Sequence, residues 1–453
     1  MLGRLLLTTC VTALALVPAV AKAQTAIPAP PEAQPPVAPT APTQQPAAGT
    51  PLERGESVLD RPRPEYDPLG IRLGSFFLYP KLELDELYND NIFATQSSAK
   101  SDFITVASPT LDLRSNWATN MLNLSAGASV GTYASQSSEN YGDYFVAANG
   151  RYDISHFLAA LSSLRYEHLH EERDAPDAVG NAANPPQFDA YTGSVGLAQT
   201  GLKIGYDAEF GFHREDYSNV NAIGGGVLNE QIRNVNDYAP SLKVSYELAP
   251  RYDAFVRAEG LISQYDNSSG GVAGAPNRNS QGYRADVGAT IDLTGVTYIE
   301  VFGGYLDQMY NAPLSSIHGL DAGAKVVWNV TELTSIKLDA NRQVQDENNT
   351  ALSSQGLTLN SPGYLRSLVT LSADHELLRN LLLHAEIDYE NDDFVGIQRT
   401  DDRYDFGVGA RYLLNRNLYL GASYTYTKRN SDGSAQTNPF SRNLFLVRLG
   451  TQF

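Results

Sequence analysis

Histidines and acidic clusters are the residues of this chain that could most readily do chemistry. His168 and His170 are two positions apart, so on a strand both imidazoles would lie on one face and could ligate a metal ion. Two ligands do not make a metal site, and none of the seven histidines has a nucleophile beside it in a hydrolase pattern. We therefore predict no catalytic residue, no metal site and no cofactor, and we predict that the protein is not an enzyme.

Two acidic runs supply a second kind of ligand. Glu390-Asn391-Asp392-Asp393 and Asp401-Asp402 could bind calcium, or could bridge the phosphates of lipopolysaccharide through divalent ions. The alternative interpretation is that these carboxylates are solvated, charged loop tips.

Polar and charged residues recur at every second position over long stretches, with apolar residues between them. This alternation runs from Leu202 to Phe212, and it recurs from Tyr283 to Leu293 and from Arg403 to Tyr412. A period of two is typical of strands that have one apolar and one wet face. The residues that we predict to line a wet interior are Arg114, Arg151, Arg165, Lys203, Asp207, Glu209, Arg257, Arg284, Asp286, Lys325, Asp388, Arg403, Asp405 and Arg411.

Strands of this kind must be arranged so that the apolar face meets lipid and the wet face does not. Between residues 71 and 453, eight short connections alternate with nine longer polar segments, which predicts eighteen antiparallel strands, with sixteen as the alternative. We predict an all-β, closed transmembrane β-barrel, because closure removes the strand edges that lipid could not satisfy. The short turns would face the periplasm and the longer loops the outside. No loop exceeds about twenty residues, so the sequence gives no sign of a loop folded into the bore.

Residues 1–23 have the features of a signal peptide. Arg4 precedes the apolar stretch from Leu5 to Val20, and Ala21-Lys22-Ala23 places small residues at the cleavage site. An uncleaved anchor helix is the alternative. Cleavage would also remove Cys10, the only cysteine, so the mature chain could form no disulfide.

Residues 24–70 are rich in proline and alanine and hold twelve of the 24 prolines. Such a composition cannot build a core, so we predict a disordered periplasmic segment. It is interpreted either as a spacer or as a tether that docks a partner or plugs the pore.

The net charge of −18 comes from 33 Lys and Arg against 51 Asp and Glu. Phosphate backbones would repel such a chain, so we exclude nucleic acid as a partner. Over all predicted inward positions the acids slightly outnumber the bases, which predicts a mild preference for cations.

The end of the chain carries an expected assembly signal. Phe445, Val447, Leu449 and the terminal Phe453 lie on one face of the last predicted strand, as in the signal by which the barrel assembly machinery recognises outer-membrane barrels. The stretch Leu73-Gly74-Ser75-Phe76-Phe77-Leu78-Tyr79-Pro80 opens the predicted barrel. Leu87-Tyr88-Asn89-Asp90-Asn91-Ile92-Phe93, Ser101-Asp102-Phe103 and Ser108-Pro109 follow it. In these motifs the chain resembles the beta-barrel porin type 2 family of Gram-negative outer membranes.

The resemblance implies a barrel in the cell outer membrane, in contact with its lipid and with lipopolysaccharide. Some relatives are associated with exopolysaccharide secretion, so it also implies export, with a periplasmic polysaccharide-export component as a partner. From the wet interior we expect a channel that passes hydrophilic solutes. The alternative is a non-conducting outer-membrane scaffold or surface-binding protein, whose interior charges only hold the wall in shape.

Overall fold

The structure is a computed structural model that describes residues 55–453, except residues 177, 270–275, 294 and 347–360. The predicted signal peptide and the predicted Pro/Ala-rich segment up to residue 54 lie outside the described residues.

The described residues form an all-β fold. Its strands are β1 (Ile71–Leu73), β2 (Phe76–Asn89), β3 (Asp102–Ser115), β4 (Met121–Tyr133), β5 (Tyr141–Asp153), β6 (Leu158–His170), β7 (Gln187–Gln199), β8 (Ile204–Tyr217), β9 (Val220–Asn221), β10 (Val227–Leu228), β11 (Val235–Ala249), β12 (Tyr252–Tyr265), β13 (Ser280–Leu293), β14 (Thr297–Tyr310), β15 (Ile317–Thr331), β16 (Thr334–Asp346), β17 (Gly363–Leu378), β18 (Leu381–Phe394), β19 (Thr400–Leu413), β20 (Leu418–Asp432) and β21 (Phe440–Gln452).

Eighteen of these strands, β2–β8 and β11–β21, pair antiparallel with their neighbours in chain order. The sheet closes where β21 pairs with β2, from Lys81 opposite Gln452 to Asn89 opposite Leu444. The prediction of a closed, eighteen-stranded antiparallel barrel is therefore confirmed. The short strand β1 pairs with the start of β2, and β9 and β10 form a small hairpin inside one loop.

The helices of the described residues are three short 3-10 turns, Val58–Asp60, Ser137–Glu139 and Glu230–Arg233. None of them has the length or the apolar character that a membrane-crossing helix needs.

The two faces of the wall differ as the alternation predicts. Val146, Leu164 and Val256 are on the outer face and expose more than half of their surface. Arg257 and Asp286, at inward positions, are buried. The outer face thus offers apolar surface to lipid, and the charged residues are gathered inside.

The connections divide the barrel into two ends. Eight turns of two to five residues lie at one end, and nine loops of five to seventeen residues lie at the other. The turns hold residues suited to tight reversal, such as Gly201 with φ of 75° in the turn before β8. Three β-bulges lie next to the turns, for example between Glu376 and Leu378, where an extra residue increases the local twist.

Candidate functional site

The interior wall of the barrel carries ion pairs between strands that are adjacent or separated by one strand. Arg257 on β12 lies directly opposite Asp286 on β13, and its guanidinium is 2.6 Å from that carboxylate. Arg284 on β13 reaches Asp321 on β15 at 2.7 Å. Inward alternation places these groups within reach of one another, so the wall neutralises much of its own charge.

The remaining predicted lumen residues take several positions. Asp207, Glu209 and Lys325 are at half-buried positions on inward parity. Lys203 lies in the turn before β8, with its ammonium 5.3 Å from the ring centroid of Tyr246 on the exposed outer face. The predicted alternation begins at Leu202, two residues before β8 begins, so Lys203 belongs to the turn.

Several other lumen residues find partners on their own or an adjacent strand. Arg151 pairs with Asp153 at 2.8 Å and Arg165 pairs with Glu167 at 2.7 Å. The remaining contacts are Arg114 on the Tyr79 ring, Arg411 near the Tyr419 ring, Asp388 with the Thr370 hydroxyl, and Asp405 with Arg403 and Thr427.

Water reaches part of this lining. The side chain of Arg165, on β6, is 42% exposed, and that of Glu386, in the middle of β18, is 33% exposed. Both residues are at inward positions, next to the outward residues Leu164 and Ile387. Because these charged groups face the inside of a closed wall, the interior has room for solvent around them.

The two acidic runs are strand residues and not loop tips. Glu390 and Asp392 lie in β18, where both carboxylates bind the guanidinium of Arg366 at 3.0 and 2.8 Å. Asp401 lies in β19 and binds Arg399 at 2.5 Å. The expectation that they are loop tips is wrong, because each run faces a buried arginine.

A loop crosses the loop-side mouth of the barrel. Residues 171–186, between β6 and β7, are called the crossing loop here. Its Asp174 is completely buried, and its carboxylate lies 3.0 Å from Arg403 on β19 and 3.1 Å from Arg442 on β21. Four strands, β2–β5, separate β21 from β6 around the wall. Sequence reasoning did not predict such a loop, because the loop is recognised by its contacts with distant arginines and not by its length.

Two further arginines hold the main chain of the crossing loop. Arg429 donates to the carbonyl oxygen of Asp174 at 2.9 Å, and Arg399 donates to that of Pro176 at 3.1 Å. The loop is also tied by Arg173, which pairs with Glu139 at 2.7 Å. The mouth is therefore narrowed by a loop fixed at several points.

Apolar clusters lie below the loops at the same end. Leu87, Ile104 and Leu444 form one of them, and Phe188 packs with Tyr217 in another. Burying such a side chain stabilises the fold by about 1.5 to 3 kcal/mol. These residues break the polar pattern of the inward positions, which is why the alternation did not predict them.

Part of the predicted disordered segment is folded. Residues 55–69, called the entry segment here, begin with a 3-10 turn whose Ser57 side chain accepts from the backbone N–H of Leu59. Asp60 accepts in return from the N–H of Ser57, which completes a capping box. The expectation of disorder over residues 24–70 therefore does not hold for residues 55–70, because this polar stretch makes its own turn and packs on the wall.

The entry segment lies across the turn-side end of the barrel. It contacts the wall from β15 round to β21, and Val58 and Ser57 are almost completely buried. Its anchors are the bonds from Asn329 to Glu56, from Val58 to Ser335, from Arg416 to Pro64 and from Gln452 to Tyr66, together with the packing of Leu59 and Tyr66 on Leu382, Leu413 and Tyr419.

Arg63 is the centre of this contact. Its guanidinium donates to the carbonyl oxygens of Val58, Leu59 and Arg61 at 2.7, 3.1 and 2.9 Å, and it binds the carboxylate of Glu376 on β17 at 3.0 Å. Both side chains of the ion pair are 4% exposed. One residue thus fixes the fold of the segment and also fastens it to the wall.

Burial shifts the ionisation of two groups in the segment. It raises the pKa of the Asp67 carboxyl, against the hydrogen bond from the Arg63 backbone and the charges of Arg63, Arg379 and Arg416. It also lowers the pKa of the Arg63 guanidinium, against the attraction of Glu376. The carboxyl of Asp67 therefore ionises less readily when the segment is packed.

The histidines find separate partners. His168 lies 2.8 Å from Asp189, and His170 lies 2.9 Å from Asp143. His384 lies 2.6 Å from the buried Asp374. Within the described residues no group of three potential ligands is placed to hold a metal ion.

Ion pairs join the last wall strand, β21, to the first, β2, at the seam where the barrel closes. Arg448 on β21 binds Asp85 on β2 at 2.7 Å and Glu83 at 3.0 Å. The predicted assembly residues Phe445, Val447, Leu449 and Phe453 are exposed on the opposite face. Recognition by the assembly machinery stays a prediction.

Sequence reasoning missed Asp174, Arg399, Arg429 and Arg442. Their partners lie far apart in the chain, and loop residues obey no period that would reveal them. The one available signal is that Arg399, Arg429 and Arg442 flank the last two loops of the sequence.

A closed wall with an apolar outside, a charged and partly wet inside, and turns and loops sorted to opposite ends defines a porin-like barrel. The chain belongs to the family described as "Putative beta-barrel porin 2", whose model matches residues 63–453. Membership in this family confirms the resemblance drawn from the sequence and supports an outer-membrane location.

The chain also has matches among solved structures, each with a TM-score below 0.5. The chain is 11% identical to Pseudomonas aeruginosa OpdK crystallised with vanillate, with a TM-score of 0.42 over 83% of this chain and 99% of that one. It is 12% identical to OccK5 (OpdH) of the same organism, with a TM-score of 0.42 over 83% and 98%. The copper transporter OprC gives 11% identity and a TM-score of 0.46 over 85% and 81%. Comparison with curated proteins gives no match.

Proposed function

We propose that the protein is an outer-membrane channel that lets hydrophilic solutes cross. The observation that carries this proposal is the solvent-exposed charge inside the closed wall, at Arg165 and Glu386. Such a lining serves no purpose against lipid, and it suits the passage of water and polar solutes. The crossing loop and the entry segment narrow the two ends of this passage.

The ion pairs of the wall determine how strongly the lining can discriminate between cations and anions. Arg257 with Asp286 and Arg284 with Asp321 cancel charge within the wall. The field that a small ion meets is then weak, and the slight excess of inward acids predicts a mild preference for cations. A continuous excess of Arg and Lys, as an acidic polymer would require, is missing from the predicted inward positions. Exopolysaccharide export and a polysaccharide-export partner stay expectations of the family resemblance.

The second candidate is the non-conducting scaffold. It is favoured by the contacts that cover both ends, Asp174 at one and Arg63 at the other, since a barrel with two fixed covers would pass nothing. In that case the loops would bind at the cell surface, and the interior pairs would only hold shape.

Solute flux through proteoliposomes separates the two candidates. The protein without residues 1–23 is reconstituted, and the swelling of liposomes in a small neutral sugar is measured. We expect swelling well above that of empty liposomes, and a clear reduction for Glu386→Trp, which places a bulky ring at an inward position of β18. The neighbouring Ile387→Trp places the same ring in lipid and is the matched control.

Equal swelling with Glu386→Trp and Ile387→Trp would mean that solute does not pass through this interior. Swelling no faster than in empty liposomes, with folding confirmed by heat-modifiable migration, would favour the scaffold.

A further inference from the structure

We propose that the loop-side mouth contains a binding site for solutes that carry a carboxylate group, and that Asp174 of the crossing loop occupies the place of the solute carboxylate. This inference rests on the proposed channel function, since it names the class of solute that the mouth would capture.

Most guanidinium groups of the wall are neutralised by carboxylates that are also in the wall. Arg448 is held by Asp85, and Arg366 is held by Asp392, in each case by two hydrogen bonds. Such pairs stay neutralised when a loop moves, because both partners belong to the wall. An arginine with a structural role in this barrel is therefore one that is paired with a wall carboxylate.

Arg429 and Arg442 depart from that arrangement. Among the described residues, Arg442 forms its ion pair with Asp174, a loop residue. Arg429 donates to the main-chain carbonyl oxygens of Asp174 and Asn438, and its Nε is buried without a hydrogen-bond partner in the described part of the chain. Arg442 therefore depends on what occupies the mouth, because its ion pair in the described part of the chain is with the loop. Arg429 also lies in the field of Asp401 on β19, but that carboxylate is already bound to Arg399.

The arginines are held in place before anything binds. Arg399 lies over the Phe394 ring at 4.0 Å, and Arg429 lies over the Phe440 ring at 4.9 Å. Arg403 is oriented by Asp405 at 2.7 Å. A planar guanidinium that is already ordered loses little entropy when it binds, so each hydrogen bond contributes more to affinity.

The chemistry of the ligand follows from the group that is bound now. The Asp174 carboxylate fits between Arg403 and Arg442 at 3.0 and 3.1 Å. Guanidinium forks match carboxylates in shape and charge, and such bonds are about twice as strong as neutral ones. A hydrophilic solute with one carboxylate, such as a sugar acid, can take the same position once the loop withdraws.

The crossing loop then acts as a competitor. While Asp174 is in place, only the fraction of molecules with a withdrawn loop can bind, and the apparent affinity falls by that fraction. Removing the aspartate side chain removes the competitor but leaves all four arginines.

The test is a calorimetric titration in detergent of the protein without residues 1–23. The probes are glucuronate and, as a neutral analogue, glucose. We expect Asp174→Ala to bind glucuronate at least tenfold more tightly than the unsubstituted protein does. We expect no measurable binding of glucose to Asp174→Ala. Adding Arg442→Gln to Asp174→Ala should abolish the gain. Glu172→Gln removes one negative charge from the same loop at a carboxylate that lies 3.5 Å from His170, and it should leave the affinity unchanged.

Equal affinity of Asp174→Ala and the unsubstituted protein for glucuronate would overturn the proposal and leave Asp174 as a latch only. So would equal binding of glucose, or an equal gain from Glu172→Gln. If Asp174→Ala does not fold by heat-modifiable migration, the isosteric Asp174→Asn carries the test. Because binding in detergent does not require conduction, its result is independent of that of the flux experiment.

Discussion

We predict that Arg63→Ala releases the entry segment from the wall at the turn-side end of the barrel. The substitution removes three hydrogen bonds to the segment's own carbonyl groups and one buried ion pair with Glu376. Removing one partner of a buried pair costs about 3 to 5 kcal/mol, because the other charge stays buried without compensation. The ratio of packed to released segment should therefore fall by a factor of roughly 10² to 4 × 10³.

The measurement is hydrogen exchange of the backbone amides of the entry segment in the reconstituted protein. The N–H of Val58, which donates to Ser335, is the most informative probe. We expect its exchange to accelerate by about the factor that the free energy implies. Glu376→Gln keeps the shape of the wall partner and should give a smaller effect.

Arg72→Ala is the matched control, because Arg72 is an exposed arginine just after the segment, whose guanidinium donates to its neighbour's carbonyl at Gly74. It should leave the exchange of Val58 unchanged. Unchanged exchange in Arg63→Ala, with the barrel folded, would refute the argument that this residue fastens the segment.

Three further predictions follow from single contacts. Burial raises the pKa of Asp67 when the segment is packed, so the contribution of Asp67 to packing is fully present below its ordinary pKa and is lost as the pH rises through the raised value. The protection of the segment's amides, relative to their intrinsic exchange rate at each pH, should therefore increase on acidification. Asp67→Asn should weaken that dependence. Gly304→Ala should lower the free energy of unfolding by about 1 to 3 kcal/mol in urea titrations, because its added Cβ would overlap the Ala285 carbonyl, whereas Gly303→Ala meets nothing and should be neutral. Arg448→Ala should cost about 3 to 5 kcal/mol in the same titration, because it leaves buried carboxylates on β2 uncompensated, and an unchanged midpoint would contradict the role given to the seam.

The fold was predictable because it is periodic. The alternation from Leu202 to Phe212 and from Tyr283 to Leu293 sets which residues face inward, and the lengths of the connections set the number of strands. Membership of the family agrees with the motif from Leu73 to Pro80. Lys203 lies one residue before β8, and the alternation alone does not show where a strand begins.

The contacts that cover the two ends were not predictable. Asp174 meets Arg442 across 268 positions of the chain, and Arg63 meets Glu376 across 313. Pairings of this kind follow from the closed shape of the wall, and no local pattern records them. The composition around Pro62 and Pro64 predicted disorder, because the few residues that pack there are too widely spaced to form a periodic pattern.

Single-channel conductance of the protein without residues 1–23, in a planar bilayer, tests the central claim most directly. The account predicts discrete conducting steps with a mild preference for cations, and more frequent or larger steps for Arg63→Ala than for Arg72→Ala. Silence from the unsubstituted protein and from a variant carrying both Arg63→Ala and Asp174→Ala, each shown to be folded by heat-modifiable migration, would contradict the channel and leave the scaffold.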